Sequence, residues 1–557
     1  MSAPEKIPVI LFTYARPAHV ARALACLKEN RVPVLYVFAD GAKGAADAAA
    51  VQAVRALIRS VDWCEVHLTE RPENLGLGRN VLAGVTEVAG RHDAFIVWED
   101  DLICVPGTYD WLCAALRRYA GEKRVMSVTA WTHPRVTPPG LRGRPYFDRR
   151  GECWVWGTWA NRWQGVNEQT ALEKMAATVA AGTVADAYGA DLVDMARVEQ
   201  ARNIWAVRWL YHHLQHGGLC LRPPQSFVEH IGFDATATNA SGSSAWANPA
   251  LPAAAELPAS WPEPAEHPWC ARLWQVAAPA WPSRSARLRT RLGRLARRLV
   301  PAGVLRWRRQ QQALRWSGEY RDWAAASAAS AGYAAPEILA RVDQAVRAVR
   351  TGAAIFERDG VAFREPPPAW PVLDELLALA ERQGGRLTVL DVGGGLGGSY
   401  FNYQYAWAGI PQLHWRVIEQ PAFVAAGRRD FADDRLEFFD SAATALAAGV
   451  PDVLLLASVL PYVPAPPDLL RTLLAVPYRF ILVERTALAS AARDRLTVQH
   501  VPASLGGGSY PCWVLSREQL LAHFQDYRLV RDEAAAEGAA AEGVAFRNLW
   551  FVREEGK

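Results

Sequence analysis

Short apolar runs alternate with longer amphipathic stretches from the N-terminus onward: "PVILFTY", "HVARALACLKEN", "VPVLYVFAD", "DAAAVQAVRALIRSV" and "CEVHLTE". The runs have strand length, and the stretches between them carry apolar side chains at helical spacing, which gives βαβαβ order. That order predicts a parallel sheet covered by helices. A second block of the same kind begins near Pro371 with "VLDELLALAERQ", "RLTVLDVGGG", "LHWRVIEQ", "PDVLLLASVL" and "YRFILVER". The expected fold class is α/β, with two doubly wound domains.

Between the blocks the pattern breaks. Residues 249 to 284 are rich in Pro and Ala and read as linker or surface loop. Beyond them, Leu288, Leu292, Leu295 and Leu299 fall at i, i+4, i+7 and i+11 among Arg287, Arg291, Arg294 and Arg298, with no acid from Ser283 to Gln310. A basic amphipathic helix of this kind can lie on an anionic membrane surface. It can equally pack its leucines on a domain and solvate its arginines. The expected division is 1–248, a linker and basic helix over 249–316, and 317–557.

A chain of 557 residues is too long for a single core, which agrees with two domains. A formal net charge of +4 is small for that length and does not point to a nucleic-acid partner. The eight cysteines are scattered, with no C-x-x-C pair, as expected of free thiols in a reducing compartment. The N-terminal apolar stretch is short for a secretion signal, and no run approaches the roughly 20 residues that span a bilayer. A cytoplasmic location follows as the expectation, at the inner face of the membrane if residues 284–309 touch lipid.

In an open α/β sheet, ligands bind beyond the carboxyl ends of the strands. Four polar segments follow the first four strands: "FTYARP", "FADG", "ENLGLGRN" and "WEDD". Asp40 can accept from a base or ribose, "NLGLGRN" permits close backbone approach, and Arg79 can meet a phosphate. Glu99, Asp100 and Asp101 repel one another, and a solvated turn or a divalent cation could offset this. Mn²⁺ or Mg²⁺ takes one or two carboxylates plus substrate phosphates, and can neutralise a departing nucleoside diphosphate.

From about Ile7 to Asn239 the chain resembles GT-A glycosyltransferases, close to family 2. Its "EDD" is similar to that of N-acetylglucosaminyltransferase I and its bacterial relatives. The resemblance is carried by "PVILFTYARPAHV", "ENLGLGRNV", "IVWEDDL", "CWVWGTWANRW" and "NIWAVRW" through "VEHIGFDATAT". It implies Asp101 as metal ligand with Glu99 in support, Asp100 on the ribose or sugar, and Thr13, Arg16, Asp40, Asn74 and Arg79 on the nucleotide. An inverting transfer also needs a carboxylate to deprotonate the acceptor hydroxyl. Asp191, Asp194 and Glu199 are the candidates, and the choice among them is open. Asn203 departs from relatives, which often carry a charged or hydroxyl residue there. His212, His213, His216 and His230 read mainly as packing and surface, with one of them near the donor pyrophosphate.

In the second block, "RLTVLDVGGGLGGSYF" is a strand, a glycine loop and a helix start. Gly393, Gly395 and Gly398 satisfy the dinucleotide spacing, while Gly393, Gly395 and Gly397 satisfy that of methyltransferases. Asp391 turns the choice toward S-adenosylmethionine. Glu419 is placed for ribose hydroxyls and Asp440 for adenine. From about Ser317 to Phe551 the chain resembles a family ascribed methyltransferase activity on its glycine motif and associated with bacterial surface-polysaccharide loci. "WSGEYRDWAAASAASAGY", "AIFERDGVAF", "VLDVGGGLGGSYF" and "FILVERT" carry it, with Glu484 where relatives have Asp. His500, Glu484 and Tyr510 are candidate bases by residue type alone.

The combined expectation is a bifunctional enzyme of bacterial surface-glycan synthesis. One half transfers a sugar from a nucleotide-sugar to a glycan or lipid-linked acceptor, and the other O-methylates a sugar hydroxyl. Two rivals stand beside it: a C-terminal NAD-dependent oxidoreductase or epimerase, and a catalytically silent ligand-binding scaffold.

Overall fold

The computed structural model describes residues 6–141, 143–232, 246, 248–281, 314–331, 336–364, 371–502, 507–535 and 543–554. Two compact α/β units result, Met1–Pro282 and Ser283–Lys557.

In the first unit the strands are β1 (Val9–Thr13), β2 (Val34–Ala39), β3 (Glu65–Glu70), β4 (Ala94–Glu99), β5 (Leu102–Cys104), β6 (Val125–Thr129), β7 (Tyr146–Asp148), β8 (Trp156–Trp159), β9 (Leu219–Arg222) and β10 (Val228–His230). Eight of them form one sheet in the order β3-β2-β1-β4-β8-β6-β9-β7, and β5 pairs with β10 in a separate ribbon. The first four positions are parallel, but β8 runs antiparallel to both β4 and β6. The sheet is therefore mixed, not parallel throughout.

Strand alternation explains why both faces are covered. Val9 and Leu11 of β1, with Leu35 and Val37 of β2, enter one apolar cluster. Ile10 and Phe12, with Tyr36 and Phe38, enter another on the opposite face. Each such side chain removed from water contributes roughly 1.5–3 kcal/mol.

The Pro/Ala-rich stretch is not a loose linker over its described part. Ala255 N–H donates to Pro106 O at 2.8 Å, and Tyr119 Oη donates to Pro262 O at 2.7 Å. A helix, Cys270–Ala277, buries Trp274, whose Nε1 donates to Asp148 Oδ2 at 2.6 Å. Residues 249–281 thus complete the first unit's core instead of leaving it. The basic segment 284–309 lies outside the described residues. Among the described residues no helix is long and apolar enough to cross a membrane.

The second unit contains β11 (Arg315–Ser317), β12 (Phe356–Arg358), β13 (Val361–Phe363), β14 (Arg386–Val392), β15 (Gln412–Ile418), β16 (Leu436–Phe439), β17 (Val453–Ala457), β18 (Phe480–Ala489), β19 (Arg495–His500), β20 (Ser509–Ser516), β21 (Tyr527–Ala534) and β22 (Val544–Arg553). The main path is β11-β19-β20-β18-β17-β14-β15-β16, with β22 paired to β18 and β21 to β22. The chain moves outward from β14 through β15 to β16, then returns to β17 on β14's other side. The carboxyl end of β14 is consequently a topological switch point, the place where open α/β sheets bind ligands. Leu387 and Val389 face one core, and Leu390 and Val392 the other.

Candidate functional site

The first site lies where β1, β2 and β4 end together. Register pairs Phe12 with both Phe38 and Glu99, so Thr13, Asp40 and the three acids emerge side by side. They border a cavity of about 310 Å³, which also receives Arg16, Lys43, Asn74, Arg202, Asn203 and His230. Arg16 Nη2 reaches Asp100 Oδ1 at 2.5 Å and Asp101 Oδ2 at 2.8 Å. Asp101 Oδ1 and Thr13 Oγ1 are buried without a hydrogen-bond partner. Burial pushes Glu99 up to about 8, with Asp101 and Asp100 adding to the shift. Burial likewise pushes Asp100 up to about 7, although Arg16 opposes it. A cluster still short of positive charge, with an orphaned carboxylate oxygen, fits a hard divalent cation. Asp101, whose Oδ1 has no partner, is the residue that would hold it, with Glu99 beside it, whereas Asp100 Oδ1 is taken by Arg16. Among the described residues no three His, Cys, Asp or Glu side chains are grouped to hold a metal by themselves.

His230 comes to the acids through the β5–β10 ribbon, which opposes it to Leu102 and ties Ile231 N–H to Asp101 O at 2.9 Å. Its Nδ1 accepts from Gly232 N–H at 3.1 Å. In the neutral ring that leaves the proton on Nε2, a donor suited to a phosphate oxygen. Burial lowers its pKa, against the raising effect of Asp101.

Asp40 borders the cavity, and its carboxylate also binds neighbouring loops. Its carboxylate accepts from Leu75 N–H at 2.8 Å, Gly76 and Gly41 N–H at 2.9 Å, and Asn74 Nδ2 at 3.2 Å. Asn74 also donates to Gly41 O at 2.8 Å. Asp40 and Asn74 therefore clasp the loops after β2 and β3 together. Gly76 needs its freedom here: its φ is +72°, and a Cβ would lie 2.9 Å from Asn203 Nδ2. Arg79 turns back on its own helix, Leu77–Ala89, donating from Nε to Leu75 O at 2.8 Å, and does not border the cavity.

The structure does not bring Asp191, Asp194 or Glu199 to the cavity. Asp191 is paired through both oxygens with Arg150 at 2.9 Å. Asp194 accepts from Trp281 N–H at 2.6 Å. Glu199 is buried against Arg208, 2.5 Å from its Nη2, and accepts from Ala171 N–H at 3.1 Å. The helix Asp191–Arg202 turns these acids toward neighbouring arginines and backbone, and only its end, Arg202 and Asn203, meets the cavity. Arg202 and Lys43 are cations that the sequence reading passed over. Lys43 could have been noticed, since it follows "FADG" by one residue. His212 and His213 are buried beside Trp209, and burial pushes His212 down to about 3.

The second site is built on the loop after β14. Gly393, Gly395 and Gly397 have φ of +74°, +60° and +83°, a region that side chains disfavour. A Cβ on Gly394 would lie 2.5 Å from Asp391 Oδ2. Asp391 is wholly buried, with Oδ2 accepting from Trp415 Nε1 at 3.1 Å and Oδ1 lacking a partner. Burial pushes its carboxyl up to about 7, and Glu484, Glu419 and Glu357 add to the shift. Glu419 directly follows β15 next door, and the backbone of Gly395 hydrogen-bonds to it. Asp440 follows β16 and is exposed, with Thr444 Oγ1 at 3.4 Å. Asp391, Glu419 and Asp440 therefore stand at the ends of three adjacent strands. An orphaned carboxylate oxygen beside a glycine cradle fits the adenosyl cofactor. Glu484 lies within β18 opposite Ala457. His500 belongs to the β11 edge, with its Nε2 2.7 Å from Ser317 Oγ, and Tyr510 Oη donates to Gly507 O at 3.1 Å.

No protein-family model matches this chain, and no curated protein matches it. Solved structures similar to parts of it include the following three. The N-terminal domain of EvdMO1, crystallised with SAH and D-fucose, is 18% identical over 40% of this chain and 98% of that one, with a TM-score of 0.26. The glycopeptide N-methyltransferase MtfA, complexed with SAH, is 16% identical over 32% and 89%, with a TM-score of 0.22. The mannosyltransferase PcManGT from Pyrobaculum calidifontis, in complex with GDP-Man and Mn²⁺, is 16% identical over 32% of this chain, with a TM-score of 0.24. This chain spans 52% of its length. Identity at this level bears on fold alone.

Proposed function

We propose that the chain carries two transferase sites that serve bacterial surface-glycan synthesis. The N-terminal unit transfers a sugar from a nucleoside-diphosphate sugar to a glycan or lipid-linked acceptor. The observation that carries this reading is the cavity at the strand ends. There, Glu99, Asp100 and Asp101, with one Asp101 oxygen buried and unpartnered, share one space with Arg16, Lys43 and Arg202. Such a space suits a divalent cation and a diphosphate together. Asp101, with Glu99 in support, would hold the cation, which would supply charge neutralisation for the leaving diphosphate. Lys43 and Arg202 add donors to phosphate oxygens, and the Asp40 clasp holds the glycine-bearing loop in place.

The C-terminal unit binds S-adenosylmethionine at the β14 loop and methylates a sugar hydroxyl. Support comes from the three left-handed glycines and from Asp391, Glu419 and Asp440 on successive strand ends.

The decisive experiment is a screen of nucleotide-sugars with Mn²⁺, read as nucleoside diphosphate release on extracted polysaccharide. Mass spectrometry with and without S-adenosylmethionine then reads the second activity. Asp101→Ala is expected to lower diphosphate release roughly a hundredfold or more. Release equal to the wild type would remove the metal assignment.

A further inference from the structure

Glu357 stands outside the glycine motif, yet its carboxyl lies on the glycine loop. It comes from the β12–β13 hairpin, in which Phe356 opposes Phe363 and Arg358 opposes Val361. Asn402, at the end of the short helix Gly398–Asn402, grips the hairpin at this one residue. Its Oδ1 accepts from Glu357 N–H at 2.8 Å, and its Nδ2 donates to Glu357 O at 3.0 Å. A Cβ on Gly398 would collide with Glu357 Oε1 and lie 2.9 Å from its Cδ. The carboxyl therefore covers the backbone where the loop becomes helix. Asp391 approaches the loop independently at Gly394, with Oδ1 buried and unpartnered.

A dinucleotide brings its pyrophosphate to the backbone N–H groups of such a loop. A carboxylate already lying over Gly398 repels that group. The same carboxylate attracts a cation, and S-adenosylmethionine carries an α-ammonium and a sulfonium. We propose that Glu357 receives the α-ammonium of S-adenosylmethionine and excludes dinucleotides from the β14 loop. This rests on reading the C-terminal unit as an S-adenosylmethionine site. It extends that reading to a residue outside the motif and decides against the NAD alternative.

The surrounding charges agree. Burial pushes Glu357 up to about 7, with Asp359 adding, while the Gly360 N–H donated to its Oε2 at 3.3 Å, Arg485 and Arg358 oppose. Arg485 is itself 3.3 Å from Asp359, in the turn of the hairpin. With Asp391 similarly raised by burial and by Glu484, Glu419 and Glu357, the loop gathers acids that a cationic ligand would relieve.

Calorimetry on the full chain tests this with S-adenosylhomocysteine, 5′-methylthioadenosine, which lacks the amino-acid end, and NAD. The wild type should bind S-adenosylhomocysteine and not NAD. Glu357→Gln should weaken S-adenosylhomocysteine at least about tenfold and leave methylthioadenosine within about twofold, as expected for losing one charged contact. On the wild type, the homocysteine analogue lacking only its α-amino group should also bind at least about tenfold more weakly, a measurement independent of any variant. Unchanged affinity in Glu357→Gln, or equal binding of the deaminated analogue, overturns the role of Glu357 and leaves the cofactor reading intact. A wild type that binds NAD, or binds no S-adenosylhomocysteine, overturns both.

Discussion

Both oxygens of Asp40 are taken by N–H groups of neighbouring loops, whereas Asp101 keeps one oxygen buried and without a partner. The two acids share a cavity but differ in how fully their oxygens are hydrogen-bonded. Asp40→Ala should therefore act on stability. Loss of its N–H contacts should cost roughly 2–4 kcal/mol, read as a lower urea midpoint at unchanged slope, with Asp40→Asn intermediate. Gly395 offers a cleaner test in the other unit. The nearest atom to a Cβ there is Val342 Cγ1 at 3.6 Å, so Gly395→Ala meets no clash and tests the +60° φ alone. The expected cost is about 1–2 kcal/mol, with weakened S-adenosylhomocysteine binding in the same calorimeter. At this scale the sequence was most informative for the glycines. Their spacing announced a ligand-binding loop, and the structure shows why glycines stand there, since few other residues adopt its left-handed backbone. It was least informative for Asp40, since a carboxylate that clasps backbone and one that binds ribose look alike in a sequence.

The helix Asp191–Arg202 shows why side-chain direction escaped prediction. Its acids were read as facing a substrate, yet Asp191 pairs with Arg150 and Glu199 with Arg208. Neither arginine is adjacent in sequence to the acid it neutralises. The β7–β9 pair contains a similar hidden device. Arg222, wholly buried, lies 3.0 Å from Asp148 Oδ2 through Nε and 3.2 Å from Glu152 Oε2 through Nη1. Removing one partner of such a group leaves uncompensated buried charge. Arg222→Ala should destabilise the first unit by about 3–5 kcal/mol in chemical denaturation, with the second unit's transition unmoved.

For the whole molecule, two units with separate cores imply two unfolding transitions. The second carries a pH signature. Glu357 and Asp391 are raised to about 7 when folded, chiefly by burial, so the folded state holds their protons more tightly than the unfolded chain. Their contribution to stability is complete below the ordinary carboxylate range and is lost as pH rises through about 7. Without ligand, the second unit's melting temperature should fall between pH 5 and pH 8. Saturating S-adenosylhomocysteine should flatten that fall by supplying the missing positive charge. A melting curve independent of pH over that range would mean these carboxyls ionise normally.

Local pattern by itself determined the fold class, the strand ends that carry polar segments, and the glycine loop. Alternating apolar side chains and left-handed glycines are properties of short stretches, and short stretches are what a sequence displays directly. Tertiary structure alone decided which charges meet: Arg16 with Asp100 and Asp101, Glu199 with Arg208, and Glu357 over Gly398. It also decided that the Pro/Ala-rich stretch through residue 281 belongs to the first core. Charge pairing acts over a few ångströms between groups tens of residues apart in the chain. Its outcome depends on packing that no local spacing records.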